Sequence, residues 1–270
     1  MDYLNIIIVI ISIILSYIAV PILLKILSKG NAVGTNYLGE KIPNCMGLLF
    51  VLVQVFNLAF IYLFFKDENY YIVYLFSFIL MGLVGLMDDL IGEKDVKGLK
   101  GHIFNFIKGN PTTGGIKAGV GFLVALFVSL VLSRNIIEII INTLIIALFT
   151  NLINLFDLRP GRSSKVFILF AIIMLIFSAT NQYNKIIYSF FGILLVYLPL
   201  DLKAKVMMGD VGSNTMGITL GIYCAFTQNI IAKLVYLLLL FVLHILAERV
   251  SFTKIIENNR LLKFLDDLGR

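Results

Sequence analysis

Charge is scarce in this chain. Only 14% of its 270 residues are Asp, Glu, Lys or Arg, while 60% are hydrophobic, which leaves too few polar side chains to clothe a water-soluble globule. Cysteine is scarcer still. Cys45, at a loop edge, and Cys224, inside an apolar run, exclude both a disulfide framework and a zinc pattern. Histidine occurs twice, and His102, the one in a loop, reads as a bystander rather than a metal ligand. The glycines carry no Walker signature. Aromatic and basic residues are not interleaved as in single-strand binders, so no nucleic-acid partner is expected. The first apolar run lacks a basic leader and an A-x-A-like cleavage site, and reads as a retained helix.

What is abundant is apolar sequence in long runs. They fall at about 4–27, 46–65, 70–87, 116–133, 135–153, 166–180, 186–200, 213–228 and 231–248, each close to the length that crosses ~30 Å of hydrocarbon. Barrel strands would be shorter and would alternate in polarity. The expectation is an all-α, polytopic integral membrane protein of about nine transmembrane helices. Residues 1–250 form a single helical domain with its active-site loops on one side, and 251–270 form an amphipathic tail on the membrane surface. Placing the amino terminus outside puts all but four of the 22 lysines and arginines on the inner side, the exceptions being Lys66, Arg134, Lys185 and Lys233. The carboxyl terminus and the loops are then cytoplasmic. The net charge of +6 becomes a one-sided basic surface suited to lipid headgroups or phosphorylated substrates.

Against this background, isolated carboxylates at the ends of apolar runs stand out. Asp88 and Asp89 close the third run, and ionisable groups at such depth are costly enough to imply a role; termination of a helix by a solvated acidic pair is the simpler alternative. Asp157 ends the fifth run, on the same helical stripe as Asn151 and Asn154, and is followed by Arg159-Pro160-Gly161-Arg162. The amides alone read equally as glue between helices. Asp210 sits between Gly209 and Gly212, ahead of Ser213, where a helix begins. A carboxylate there, beside free amides, suits magnesium bridged to phosphate oxygens, and an aspartate helix cap is the alternative. The inner loops add Lys41, Lys100, Lys117, Arg159 and Arg162 as partners for anionic groups. The first of these loops, Lys29 to Cys45, reads as a turn that restarts a helix at Pro43. The second carries a short interfacial helix at Ile103–Lys108 and glycines before a helix that can cradle phosphate.

In order along the chain these motifs are Lys41-x-Pro43-x-x-Met46-Gly47, Asp88-Asp89, Asn151-x-x-Asn154-x-x-Asp157 and Met208-Gly209-Asp210-x-Gly212-Ser213. Together they resemble the polyprenyl-phosphate N-acetylhexosamine-1-phosphate transferases, over most of the chain. The resemblance implies attack by a polyprenyl (undecaprenyl) phosphate on the β-phosphate of a UDP-amino sugar, releasing UMP, at the cytoplasmic face of a bacterial plasma membrane, for envelope glycopolymers such as peptidoglycan. It implies magnesium, with manganese as the alternative ion, at Asp210. The catalytic candidates are Asp88 and Asp89, implied either in deprotonating the lipid phosphate or in positioning metal and substrate, and Asp157, implied to line the nucleotide-sugar cleft with Asn151 and Asn154. Substrate contacts fall on Lys41, Asn151 and Asn154, with Lys100, Lys117, Arg159, Arg162, Gly212 and Ser213 beside them. Assembly as a homodimer is left open.

Two features depart from that family. The usual Asp-Gly-x-Asp-Gly continuation is replaced by Asp157-Leu-Arg159-Pro160-Gly161-Arg162, and the histidine-rich loop before the last span is absent. The chain is more similar to a bacterial side branch with Lys-Gly-x-x-Gly-His, Arg-Pro-Gly-Arg and Gly-Asp-x-Gly-Ser-Asn elements. Two competing classes are a transporter of divalent cations or phosphorylated lipid, against which the acidic residues cluster at one face and the mid-spans offer only scattered polar groups such as Gln54, Asn57 and Asn142, and a catalytically silent relative that binds lipid or a partner.

Overall fold

The computed structural model describes residues 3–30, 32–64, 70–92 and 112–270. Each apolar run forms a helix, as it must where lipid offers the backbone no hydrogen-bond partner. In order these are α1 (Tyr3–Lys29), α2 (Leu48–Phe64), α3 (Tyr70–Ile91), α4 (Thr113–Leu132), α5 (Ile136–Phe156), α6 (Arg162–Ile176), α7 (Asn184–Leu202), α8 (Gly209–Thr227) and α9 (Ile230–Arg249), followed by the short α10 (Phe252–Asn258) and α11 (Arg260–Asp267). Among the described residues six helices, α1, α3, α4, α5, α7 and α9, are long and apolar enough to cross a membrane. The chain is thus an all-α membrane protein. Of the three other runs expected to span, α2 is 17 residues long, α6 is 15, and α8 opens on the polar Gly209–Thr215.

The bundle is organised around α8, which is buried along nearly all its length and touches α3 and α5 most extensively. Small residues let the backbones close up, as is usual between helices in lipid. A Cβ at Gly217 would lie 2.5 Å from the Thr150 Cα, and one at Gly221 2.6 Å from the Ile146 Cα, so α5 crosses α8 on glycine. At the other face, a Cβ at Gly85 of α3 would lie 2.5 Å from the Asp210 carbonyl oxygen. This contact brings the end of α3 against the start of α8. Lower in the bundle, Tyr74 of α3 shares a 2.9 Å hydrogen bond with Thr219 of α8. Phe50, Phe78, Phe167, Phe190 and Tyr197 fill the space between α2, α3, α6 and α7 with mostly edge-on rings.

The first loop differs from its expected form. Instead of a helix restarting at Pro43, β1 (Val33–Thr35) pairs antiparallel with β2 (Lys41–Pro43). Asn36 closes the turn, its Oδ1 accepting from Leu38 N and Glu40 N at 3.0 and 2.9 Å, and Gly39 supplies the left-handed residue at φ +83°. The chain after the hairpin bonds to the segment before α8, with Met207 N donating to Pro43 O at 2.9 Å, Met46 N to Met207 O at 3.0 Å and Gly47 N to Met208 O at 2.9 Å. That pairing, not a helix start, carries Asn44 and Cys45 to the end of α3.

The tail also differs. One amphipathic helix was expected, but the Asn258-Asn259 pair interrupts it, and Asn259 caps α11 by accepting from Leu261 N and Leu262 N. The proposed interfacial helix at Ile103–Lys108 and His102 lie outside the described residues.

Candidate active site

The carboxyl ends of α3, α5 and α7 and the amino ends of α4 and α8 meet at one end of the bundle, and each brings a charged side chain. Lys117, in the first turns of α4, places its Nζ 2.7 Å from Asp88 Oδ2 and 2.7 Å from Asp210 Oδ2. All three side chains are mostly buried, so the ammonium offsets two carboxylates that would otherwise repel.

Asp89 plays a different part. Its Oδ1 accepts from Asp210 N at 2.8 Å and its Oδ2 from Val211 N at 3.1 Å, so α3 supplies the cap for α8 that α8 lacks in its own sequence. Gly209, at φ +68°, lets the chain enter α8 directly over this carboxylate; any Cβ there would collide with it. The Asp210 and Val211 amides, expected to be free beside the Asp210 carboxylate, are therefore spent on Asp89. Asn44 Nδ2 reaches the same carboxylate at 3.5 Å, and Cys45, left-handed at φ 61°, lies beside it. Burial, and then the negative charge of Asp89, push the Cys45 thiol up to about 12, which leaves it an inert thiol at neutral pH.

Asp157 caps the end of α5, its N–H bonded to Asn154 O at 3.1 Å and its carboxylate accepting from Ser163 Oγ at 2.9 Å. Burial raises its pKa to about 8, the charge of Asp201 adds to the rise, and the Ser163 hydrogen bond opposes it. A carboxyl whose folded pKa lies above its unfolded 3.8 destabilises the folded state progressively as pH rises toward about 8. Replacement by Asn removes that slope. Thermal unfolding of Asp157→Asn in detergent should gain on the wild type as pH rises from 4 to 8; parallel curves would refute the assignment.

The remaining expected contacts fall in varied places. Asn154 Oδ1 accepts from Ser213 Oγ at 3.3 Å, and Ser213 is fully buried. Gly212 packs against Gly47, where a Cβ would lie 3.1 Å from the Gly47 Cα. Packing rather than an open cleft thus occupies Gly212 and Ser213. Asn151 is exposed on α5, and Lys41 is exposed on β2. Arg159 stands 5.3 Å over the Tyr37 ring and 3.6 Å from Glu257. Arg162, expected to hold a phosphate, is instead buried and bonded to Asp266 and Thr253 of the tail. Lys100 lies outside the described residues.

Sequence reasoning missed Asp201 at the end of α7, whose charge bears on Asp157 and whose carboxylate receives the Gly161 N–H. Its signal was the one used elsewhere, a lone acid closing an apolar run. It missed Asn44, Cys45 and Asp266 because their roles arise from pairing between distant loops, and Ser163, six residues from Asp157, because its role depends on how the α5–α6 turn folds back.

Fold and site define a polytopic helical membrane protein with carboxylates and a lysine gathered at one end of its bundle. The model of glycosyl transferase family 4 matches residues 71–228, more than half of the chain, and the chain belongs to that family. The match takes in Asp88, Asp89, Lys117, Asp157 and Asp210, and it ends before the tail. No curated protein sequence matches the chain. Membership makes the protein a glycosyl-1-phosphate transferase acting on a polyprenyl phosphate.

Proposed function

We propose that the protein transfers an N-acetylhexosamine-1-phosphate from a UDP-sugar to polyprenyl phosphate at the cytoplasmic face of a bacterial plasma membrane, in the phospho-N-acetylmuramoyl-pentapeptide transferase and UDP-GlcNAc:undecaprenyl-phosphate branch of the family or beside it. All nine helices cross the bilayer in this reading, the amino terminus lying outside, because that arrangement gathers the basic residues on the inner side. A phosphate oxygen of the lipid attacks the β-phosphorus of the sugar nucleotide. The bond from that phosphorus to the bridging oxygen breaks, and UMP leaves with the electron pair.

The observation that carries this reading is the convergence of Asp88 Oδ2 and Asp210 Oδ2 on the single cation of Lys117. Two hard oxygen donors drawn to one point fit magnesium, which takes one or two carboxylates and fills its remaining positions with water and phosphate oxygens. Asp210 and Asp88 would hold it, and it would neutralise charge on the diphosphate.

The other residues hold this arrangement in place. Asp89 fixes the first turn of α8, and with it Asp210, through its two amide bonds. Lys117 draws the carboxylates of Asp88 and Asp210 to one point. Against the transporter alternative, the scattered mid-span amides make contacts within the bundle, with Gln54 donating to Tyr74 and the Ile186 carbonyl, Asn57 to Ser12 and Asn142 to Ser133.

The test supplies purified protein, magnesium and undecaprenyl phosphate with a panel of UDP-sugars and follows UMP. Release from a UDP-N-acetylhexosamine, dependent on the lipid, supports the reading. No UMP from any donor would refute it and leave the silent-relative class.

A further inference from the structure

The tail is bound to the turn that carries Asp157, on both sides of that residue. Before it, the Phe156 ring stacks on Phe252, centroids 4.5 Å apart and planes within 7°. After it, Arg162 donates from Nε to Asp266 Oδ1 and from Nη2 to Asp266 Oδ2, both at 2.8 Å, and from Nη1 to Thr253 Oγ1 at 3.0 Å. Lys165 Nζ donates to the carbonyls of Leu265 and Asp266 at 2.9 and 2.6 Å. Arg270 Nε donates to Pro160 O at 2.9 Å, and the same guanidinium holds Asp266 at 3.1 Å.

These contacts form a built joint rather than surface decoration. The Arg162 side chain is 4% exposed and that of Asp266 10%. A fork-to-fork pair at such burial is specific in geometry and costly to leave half-made. Burial alone would raise the Asp266 pKa, but the Arg162 hydrogen bonds and charge outweigh it and hold the carboxyl below its usual range. Three of the five Arg162 N–H donors are engaged by the tail, and the side chain is 4% exposed, so the tail stands between this guanidinium and any substrate phosphate. Ser163, which bonds the Asp157 carboxylate, directly follows Arg162 in the first turn of α6.

We propose that the C-terminal segment is a working part of the site: Asp266, acting through Arg162, braces the Asp157 turn, and Arg162 is a positioning residue rather than a phosphate ligand. The brace stands where the chain departs from the usual Asp-Gly-x-Asp-Gly continuation, and Arg159-Pro160-Gly161-Arg162 is the receptor for the chain's own tail. The catalytic consequence rests on the transferase reading above.

The test is a double-mutant cycle of Arg162→Gln and Asp266→Asn in the full-length protein, with kcat per folded molecule, KM for the UDP-sugar, and amide hydrogen exchange over residues 157–165. With Asp157 the catalytic residue that the family resemblance implies, each single variant should lower kcat by roughly tenfold to a hundredfold, the range for a displaced catalytic group, and KM should change by less than about threefold. The double variant should lose no more than either single, since both break one joint. Exchange over 157–165 should quicken in all three. Thr253→Val, which removes one hydrogen bond of three, should give a smaller effect of the same kind and serves where the larger changes prevent folding.

Losses that multiply, with Arg162→Gln far worse than Asp266→Asn and a raised KM, would make Arg162 a direct ligand and overturn the proposal. Unchanged or increased kcat in Asp266→Asn would overturn it too. Were the wild type to release no UMP, the transferase reading would fall, and exchange alone would decide the brace. Unaltered exchange over 157–165 in Asp266→Asn would then end it.

Discussion

Asp210→Asn is expected to lower UMP release on the order of 10³-fold, about 4 kcal/mol in the barrier, with the protein still folded. The amide keeps the shape of the side chain but loses the negative charge that meets the cation. Folding should survive because the cap on α8 comes from elsewhere: Asp89 accepts the backbone N–H groups of Asp210 and Val211, and both remain in the variant. The Lys117 pairing with Asp88 also remains. Purified variant and wild type should therefore melt within a few degrees of each other in detergent while differing by orders of magnitude in turnover. Near-wild-type turnover would remove Asp210 from the mechanism.

Lys117→Met is expected to cost stability as well as activity. Its Nζ lies 2.7 Å from both Asp88 Oδ2 and Asp210 Oδ2, and the three side chains are 14–25% exposed. Without the ammonium, two mostly buried carboxylates face one another uncompensated. The loss of folding stability should be about 1–3 kcal/mol, less than for a fully buried pair because some water reaches these groups. Turnover should fall about a hundredfold as the carboxylates part. Ammonium and divalent ion draw on the same two oxygens. Added magnesium should thus raise the melting temperature of Lys117→Met by more than it raises that of the wild type. An equal or smaller rise would mean that the carboxylate pair is not where the ion binds.

The bundle and the acidic residues at its end were legible in sequence for one physical reason. An ionisable group that interrupts an apolar run is costly in lipid, so Asp88, Asp89, Asp157 and Asp210 each mark a helix terminus. Apolar length likewise marks the helices, although it does not foretell that α6 is only 15 residues long. Other features left no local trace. The β1–β2 hairpin consists of strands of three residues, too short for any periodic signal. Lys117 reads as one more basic residue in a glycine-rich loop, and only the packing of α4 beside α3 and α8 turns it into the counter-charge of two aspartates. Arg162 reads as a phosphate ligand because a guanidinium after an acidic helix end has that chemistry, whereas its partner Asp266 lies 104 residues further on.

In the proposed mechanism, carboxylates from α3 and α8 hold one divalent ion together with the substrate diphosphate. Titration of the purified protein with manganese, read by electron paramagnetic resonance in the presence of a UDP-sugar, tests it most directly. The account predicts one bound ion per chain that magnesium displaces, whose binding requires both Asp88 and Asp210 and whose spectrum changes when the nucleotide is added. Full manganese binding by an Asp88→Asn, Asp210→Asn double variant, or a spectrum indifferent to the nucleotide, would contradict it.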